Sequence, residues 1–308
     1  MQPFTFPSTD RRTSLAAYAV TPQKPLAMVQ ISHGMCEYFG RYEAFADFLA
    51  AHGYLVFGHD HLGHGNSAAS PKDLGFVAEK GGADLLVRDV LALSHKMKDE
   101  HPDLPLILFG HSMGSFISRE AIAREGQLYD ACVICGTGGP ETPAAAGKLL
   151  ANLMIAFKGA KYRSQMLKKI AFSGYLSHIG QPCDSNDWLT RDAEVVKRYN
   201  ADPFCTYTFT LSAYRDLFDL VAWVSDKAWA KKLPPSLPLL VIGGEEDPVG
   251  GFGKGMRSVF ARIREAGVSD ATLKLYPGMR HEILNELEKE QVWSDLLQWM
   301  EEKRKSLT

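Results

Sequence analysis

The sequence predicts an α/β protein in which helices cover both faces of a mostly parallel sheet. Two observations lead to this prediction. Short apolar runs end in loops that contain glycine, and stretches with the apolar spacing of amphipathic helices alternate with those runs. A chain of 308 residues, 45% apolar and 23% charged, is also long enough to enclose a sizeable core.

The predicted elements follow one another in a regular order. A hairpin with strands at 4–8 and 14–20 opens the chain, and further strands are predicted at 27–31, 54–58, 106–109, 131–135, 239–243 and 272–276. Helices are predicted between them, including 115–124 and 257–266, and a last helix carries Leu284, Val292, Leu296 and Met300. Because a strand–helix–strand connection usually leaves its strands parallel, this alternation predicts a parallel sheet.

The alternation is interrupted between 140 and 232, where the sequence has helix-like segments and no convincing buried strand. We therefore expect a core made of 1–139 and 233–308, with 140–232 inserted as a helical cap above the sheet. Leu149, Leu153, Met154 and Phe157 recur at helical spacing in this segment. They are expected to line the substrate pocket from the cap side.

The predicted cap also has a charge bias. The stretch 145–180 contains no Asp or Glu, and its basic residues are Lys148, Lys158, Lys161, Arg163, Lys168 and Lys169. Its apolar face either covers the pocket while the lysines are simply solvated, or forms part of a basic amphipathic surface that contacts an anionic membrane. The sequence leaves both interpretations open.

The composition excludes several classes of function. A net charge of -2 gives no reason to expect a nucleic-acid partner. No run approaches the ~20 apolar residues that span a bilayer, and the first residues lack the pattern of a signal peptide. Five cysteines, a small and odd number, indicate a reducing compartment, so a cytoplasmic location is expected. No oligomeric state is indicated.

The strongest motif is the pentapeptide from Gly110 to Gly114, with Ser112 at its centre. It follows a predicted strand and precedes a predicted helix, which is the context of a nucleophile elbow. The turn is so sharp that its neighbouring positions tolerate almost no side chain, and it projects the serine hydroxyl above the sheet. The sequence therefore predicts an α/β-hydrolase fold with Ser112 as nucleophile.

A serine nucleophile needs a histidine base, and that histidine needs a carboxylate to hold its tautomer. In this fold the acid and then the histidine follow the serine, each in a loop after a later strand. Asp247 follows the strand at 239–243, and His281, the only histidine after His178, follows the strand at 272–276. Glu245 and Glu246 flank the acid, so that assignment is the less unique of the two.

An oxyanion hole is the third requirement. One donor is expected to be the backbone N–H of the residue after the nucleophile, which is Met113. The other should come from the loop that ends the first long apolar run, and Met35 in His33-Gly34-Met35 is the candidate.

The loops together resemble the monoacylglycerol lipase and lysophospholipase family of α/β-hydrolases. The resemblance rests on the runs at 33–42 and 59–67, the elbow, Asp247-Pro248-Val249 and Arg280-His281-Glu282. It implies that Ser112, Asp247 and His281 form a catalytic triad, that Met35 and Met113 supply the oxyanion donors, and that the insertion is a lid over an acyl pocket.

The predicted function is a serine carboxylic ester hydrolase that forms an acyl-enzyme on Ser112, with a monoacylglycerol as the foremost substrate and no cofactor. A lysophospholipase, or a peptidase or amidase, of the same fold remains an alternative, as does a ligand-binding protein that has lost catalysis. His59, His61 and His64 match no zinc spacing, so no metal site is predicted.

Overall fold

The computed structural model describes residues 1–140 and 144–306. Residues 141–143, at the start of the predicted cap, and 307–308, at the end of the predicted core, lie outside the described residues. Within the described ranges the strands form one sheet of eight in the order β1-β2-β4-β3-β5-β6-β7-β8. The strands are β1 (Gln2–Pro7), β2 (Ser14–Val20), β3 (Ala27–Ser32), β4 (Tyr54–His59), β5 (Leu106–His111), β6 (Ala131–Cys135), β7 (Leu239–Gly244) and β8 (Ala271–Tyr276).

Only the opening hairpin departs from parallel pairing. β1 pairs antiparallel with β2, and β2 pairs antiparallel with β4, whereas every pairing from β4 through β3 to β8 is parallel. The central strands β3 to β7 are buried along their whole length, as their continuous apolar sequences require. The predicted mostly parallel sheet is therefore confirmed.

Helices cover the two faces of this sheet. Apolar residues of α2 (Gly82–Glu100), α3 (Met113–Glu125) and α8 (Lys254–Glu265) pack on one face, and those of α1 (Glu43–Ala51) and α9 (Lys289–Lys305) pack on the other. The prediction was wrong for Leu284, which lies in a single 3-10 turn, Ile283–Asn285, before α9 begins.

The regular elements described between β6 and β7 are all helical. They are α4 (Ala144–Lys158), α5 (Gln165–Ala171), α6 (Ala193–Ala201) and α7 (Leu211–Ser225), together with a 3-10 turn at Ala230–Lys232. We call 140–232 the inserted segment. α4 packs against α7, and α7 in turn packs against α2 and α3 of the core.

One buried arginine ties both ends of the inserted segment to the core. Arg119 on α3 donates to Thr137 Oγ1 and Gly138 O at 3.2 Å, just after β6, and to Val224 O at 2.7 Å near the end of α7. Its guanidinium stacks on Trp229 at 4.3 Å. Burial lowers the pKa of Arg119 to about 9. These contacts fix where the inserted segment leaves and rejoins the sheet.

Candidate active site

The turn between β5 and α3 holds Ser112 in a backbone conformation with φ 54° and ψ -121°. A Cβ at Gly110 would lie 2.3 Å from Ser118 Oγ, and one at Gly114 would lie 1.9 Å from Ser32 O. Because neither position has room for a side chain, both glycines are required by the turn itself. Ser112 is half-buried and immediately precedes α3, so the positive end of the helix faces its hydroxyl.

His281 and Asp247 meet in the loops that follow β8 and β7. His281 Nδ1 lies 2.9 Å from Asp247 Oδ1, with both side chains almost fully buried. The contact has the distance of an ion pair, although its angle falls outside that of a hydrogen bond. Catalytic hydrogen bonds often become well aligned only when substrate binds.

The two glutamates beside Asp247 point elsewhere. Glu245 pairs with Arg257 at 3.0 Å, and Glu246 pairs with His178 at 3.2 Å, both at exposed positions. The structure therefore brings Asp247, and neither glutamate, next to His281.

The loop after β3 lies against the nucleophile. A Cβ added to Gly34 would come within 3.0 Å of Ser112 Cβ, so only glycine lets this loop approach so closely. Met35 is the next residue in that loop. Met113 is the first residue of α3, and its N–H therefore has no acceptor within the helix. Both predicted oxyanion donors thus belong to segments that flank Ser112.

A buried glutamate holds this loop in place. Glu37 Oε1 accepts hydrogen bonds from the Gly34 N–H and from Tyr42 OH, the latter at 2.8 Å. It also lies 3.2 Å from His111 Nδ1, while Glu37 Oε2 pairs with Arg41 at 2.9 Å. Glu37 therefore connects the loop after β3 to the residue that precedes the nucleophile.

The same arginine extends this connection to the loop of His281. Arg41 makes two 2.7 Å hydrogen bonds to the Glu282 carboxylate, and His111 Nε2 lies 3.4 Å from His281 O. We call Glu37, Arg41, Tyr42, His111 and Glu282 the Glu37 network. It links three segments that each carry a predicted catalytic residue.

The ionisation of this network follows from its pairing. Burial alone would raise the pKa of Glu37, but the hydrogen bond from His111 and the charges of His111 and Arg41 hold it well below its usual value. Burial opposes charge on His111 as well, yet Glu37 raises the pKa of His111 above its usual value. Arg41 likewise lowers the pKa of Glu282 against the effect of burial. The carboxylates of Glu37 and Glu282 thus face the guanidinium of Arg41 and the imidazole of His111, and this environment favours the protonated form of His111.

A second group of histidines lies beside this network. His33, His59, His61 and His64, here called the histidine cluster, are all buried. His61 Nδ1 lies 3.2 Å from His59 Nε2, and the backbone N–H of His61 donates to His33 Nε2 at 3.0 Å. Burial lowers the pKa to about 3 for His33 and His59, to about 4 for His64 and well below its usual value for His61. In the described part of the chain, no group of three or more potential ligands is placed to hold a metal ion.

A cavity of about 720 Å³ lies between the sheet and the inserted segment. Ser112, His281, Met35 and Met113 line it, and its size is within the range of small-molecule sites. On the side of the inserted segment, its apolar walls come from Leu150, Leu167, Phe172, Leu176, Leu217, Phe218 and Val221.

The residues predicted to line this cavity from the cap do not lie in it. Leu149, Leu153 and Phe157 face outward and are 62%, 54% and 85% exposed, so that prediction was wrong. Met154 is half-buried and packs against the core without reaching the cavity. A Cβ at Gly147 would lie 2.6 Å from Phe218 Cζ, because the face of α4 with small residues packs against α7. Helical spacing identified an apolar ridge but could not distinguish the inner face from the outer one.

Sequence reasoning did not assign roles to Glu37, Arg41 or Glu282, although all three lie in the quoted motifs. The signal that could have found them is chemical: charged residues next to glycine-rich loops in an otherwise apolar core must be paired.

Comparison with known proteins extends over nearly the whole chain. Residues 23–288 match the hydrolase family described as "Serine aminopeptidase, S33". The chain belongs to this family of α/β-hydrolases. It is 32% identical to a monoacylglycerol lipase of Mycolicibacterium smegmatis over 90% of this chain and 88% of that protein, and 30% identical to the human monoglyceride lipase over 85% and 78%.

Solved structures agree with this assignment. A thermostable carboxyl esterase from Bacillus coagulans, solved in complex with glycerol, superposes with a TM-score of 0.92 at 28% identity over 98% of both chains. A variant of the Saccharomyces cerevisiae monoglyceride lipase superposes with a TM-score of 0.76 at 20% identity, covering 98% of this chain and 94% of that one. The predicted family, fold and enzyme class, a carboxylic ester hydrolase, are thereby confirmed.

Proposed function

We propose that this protein hydrolyses monoacylglycerols through an acyl-enzyme on Ser112, with His281 as base and Asp247 as the acid that orients it. The observation that carries the proposal is the cavity in which Ser112 and His281 are covered by apolar residues of the inserted segment. The names of the relatives in Mycolicibacterium smegmatis and human support the same substrate class.

The proposed steps assign a role to each residue of the site. His281 removes the proton from Ser112 as its oxygen attacks the ester carbonyl, and Asp247 stabilises the imidazolium that forms. The N–H groups of Met35 and Met113 stabilise the oxyanion. His281 then protonates glycerol as it leaves, and activates a water that releases the fatty acid from Ser112.

The test is substitution of the nucleophile. Ser112→Ala should lower kcat by a factor on the order of 10⁴ to 10⁶, as loss of a triad member does elsewhere, and should abolish labelling by a fluorophosphonate probe. Its thermal unfolding midpoint should stay close to that of the wild type. Retention of a tenth of the wild-type activity would contradict the mechanism.

Monoacylglycerol as substrate predicts a dependence on acyl length. Each CH₂ transferred from water into an apolar cavity contributes about 0.8 kcal/mol, so kcat/KM should rise from short to medium acyl chains. A flat profile would exclude the lipid substrate while leaving the serine-hydrolase mechanism intact.

We further propose that 140–232 acts as a lid and that its outer surface contacts membranes. The outward ridge of Leu149, Leu153 and Phe157 is joined on α5 by Met166 and Ile170, each 53% exposed. Five large apolar side chains are thus exposed on two helices of one segment, which is typical of a surface that binds something, and the basic residues of the segment favour an anionic bilayer.

Vesicles separate this contact from catalysis. Phe157→Asp should weaken binding to vesicles of phosphatidylglycerol and phosphatidylcholine, and should leave hydrolysis of a soluble short ester unchanged. The matched control is Leu26→Asp, an exposed leucine outside the inserted segment, which should bind as the wild type does. Equal binding by all three proteins would exclude the contact.

In the described residues, no helix is long and apolar enough to cross a bilayer. The five cysteines are free, including the exposed Cys183, and such a thiol is typical of a reducing compartment. The proposed location is therefore cytoplasmic, with reversible contact at the membrane.

One observation favours a second substrate class, single-chain phospholipids. Lys168 lines the cavity, is half-buried, and has no carboxylate partner among the ion pairs of the described residues. Met35 and Cys36 of the oxyanion loop line the same cavity. Burial raises the pKa of the Cys36 thiol to about 12, and the charge of Lys168 acts against this rise. A relative in Bacillus subtilis, 26% identical over 88% of this chain and 93% of that one, is named phospholipase YtpA.

The ratio of two activities tests this alternative. Lys168→Met should lower kcat/KM for lysophosphatidylglycerol roughly 10-fold relative to a monoacylglycerol of equal chain length, as loss of a charged hydrogen bond implies. An unchanged ratio would exclude recognition of the phosphate by Lys168.

A further inference from the structure

A short stretch of the inserted segment runs alongside the loop that carries His281. We call residues 187–191 the strap and residues 280–286 the histidine loop. The Glu282 N–H donates to Leu189 O at 2.7 Å, and the His281 N–H donates to Trp188 O at 3.4 Å. The backbone of the predicted catalytic base is thus paired with the inserted segment.

Side chains reinforce this pairing on both sides. Arg280 Nη1 donates to Asp187 O at 2.5 Å and to Thr190 O at 3.1 Å. Arg191 pairs with the fully buried carboxylate of Glu286 at 3.0 Å. The strap is therefore anchored to the histidine loop at both of its ends.

The ring of His281 also contacts two other rings. Its centroid is 5.1 Å from that of Trp188 and 4.7 Å from that of His111, with tilts of 39° and 41°. Trp188 is itself supported from behind by Phe172 at 5.8 Å and Tyr175 at 5.0 Å, and it is only 9% exposed. The indole can therefore hold the imidazole in one orientation.

We propose that Trp188 is a positioning residue for His281, supplied to the catalytic centre by the inserted segment. The inference rests on the proposed function, because it takes His281 as the catalytic base. On this proposal the strap stays attached to the histidine loop during catalysis. Any lid movement is then confined to the rest of the inserted segment.

Two physical effects give Trp188 this role. A base displaced by about 1 Å can cost a factor of about 10² in rate, and a packed indole prevents that displacement. An aromatic face also favours a cation placed against it, and His281 becomes a cation at each proton transfer. A residue that only lines the acyl pocket would behave differently. Its substitution would slow hydrolysis only of substrates whose acyl chains are long enough to contact it.

Two substrates separate these roles. p-Nitrophenyl acetate needs the base but has too short an acyl group to fill the cavity, whereas a medium-chain monoacylglycerol needs both. Trp188→Leu should lower kcat on the order of 10-fold for both substrates, with little change in KM for the acetate. Trp188→Phe, which keeps an aromatic face, should recover most of the loss.

The matched comparison is Phe218→Leu, another aromatic of the same cavity wall, whose ring stacks on Tyr214. It should impair hydrolysis of the monoacylglycerol far more than hydrolysis of the acetate. If Trp188→Leu does not fold, as judged by its thermal unfolding, Trp188→Met carries the same expectation, because its flexible unbranched side chain adapts to an irregular space without presenting an aromatic face.

Failure of this inference differs from failure of the proposed function. A loss confined to the monoacylglycerol in the Trp188 variants would make Trp188 a wall of the pocket and overturn the inference. His281→Ala, measured in parallel with both substrates, should be inactive. If it were active, the proposed function itself would be wrong, whatever the Trp188 variants do.

Discussion

Two groups of buried histidines lie in the segments around the nucleophile, and their surroundings differ in charge. His111 and His281 each face a carboxylate, from Glu37 and Asp247 respectively. The four residues of the histidine cluster face one another, and burial lowers the pKa of each. Burial alone therefore does not make a histidine chemically active, because a buried imidazole without a counter-charge stays neutral.

The difference also divides the loops by role. The histidine cluster connects the loops after β3 and β4 through neutral hydrogen bonds, whereas the Glu37 network supplies charge beside the cavity and Asp247 supplies it next to His281. Function should thus depend steeply on the paired histidines, and stability should respond to pH in opposite directions for His111 and for the histidine cluster.

The largest expected effect comes from removing the charge opposite His281. Asp247→Asn keeps the size of the side chain but cannot hold the required tautomer, so kcat should fall by a factor on the order of 10⁴. Steady-state hydrolysis of a short ester measures this directly.

The neighbouring glutamates provide the controls for that substitution. Glu245→Gln and Glu246→Gln remove exposed charges that pair with Arg257 and His178, so each should keep most of the activity. Equal losses in all three variants would leave Asp247 without a distinct role.

A smaller loss is expected when the counter-charge of His111 is removed. Glu37→Gln leaves Arg41 and His111 facing one carboxylate instead of two, and weakens the anchor of the oxyanion loop. Loss of one partner of a buried ion pair typically costs about 3 kcal/mol or more in the free energy of unfolding. We also expect kcat to fall on the order of 10-fold, because the oxyanion donor at Met35 shifts.

The control for Glu37→Gln is Asp89→Asn, another buried carboxylate, which accepts hydrogen bonds from Ser8 and Thr9 far from the site. It should lower stability without lowering kcat of the folded enzyme. If Glu37→Gln behaved like Asp89→Asn, the Glu37 network would be a purely structural feature.

Some features of this site could be predicted from the sequence. The elbow was predictable because all the residues that the sharp turn requires lie in one pentapeptide. Gly110, Ser112 and Gly114 are alternate positions of that pentapeptide. That Asp247 and His281 lie side by side was predictable because chain order and strand ends place them at one edge of the sheet.

Two kinds of feature could not be predicted from the sequence. One is which face of a helix packs against the rest of the protein, and the other is which residue pairs with a given charged side chain. The ridge of Leu149, Leu153 and Phe157 has the spacing of an inward face, but the small residues of α4, such as Gly147, pack instead. Arg41 meets Glu282 across 241 positions of sequence, and no local pattern encodes such a distant pairing. The contact between Trp188 and His281 could not be predicted for the same reason.

The smallest expected effect is on the pH dependence of stability. A histidine whose folded pKa is below 6.5 contributes stability that is complete above 6.5 and is lost as the pH falls toward the folded value, because the unfolded chain then binds the extra proton. With folded values of about 3 to 4 for His33, His59 and His64, the cluster should destabilise the protein progressively below about pH 6.5.

The sign is opposite for His111. Since its folded pKa is raised, its contribution is complete below its unfolded value and is lost as the pH rises through the folded one. The two groups therefore limit stability from opposite sides, the cluster in acid and His111 toward alkaline pH.

Single substitutions test the two limits separately. Each proton that binds only to the unfolded chain changes the free energy of unfolding by about 1.4 kcal/mol per pH unit. His64→Asn, which keeps a side-chain donor for the Leu62 carbonyl, should reduce the acid slope between pH 6 and 4.5 by close to one proton and leave the alkaline side unchanged. His111→Gln should flatten the alkaline side and leave the acid slope as it is. Urea unfolding across this pH range gives both slopes, and an identical profile for His64→Asn and the wild type would mean that the cluster is protonated without unfolding.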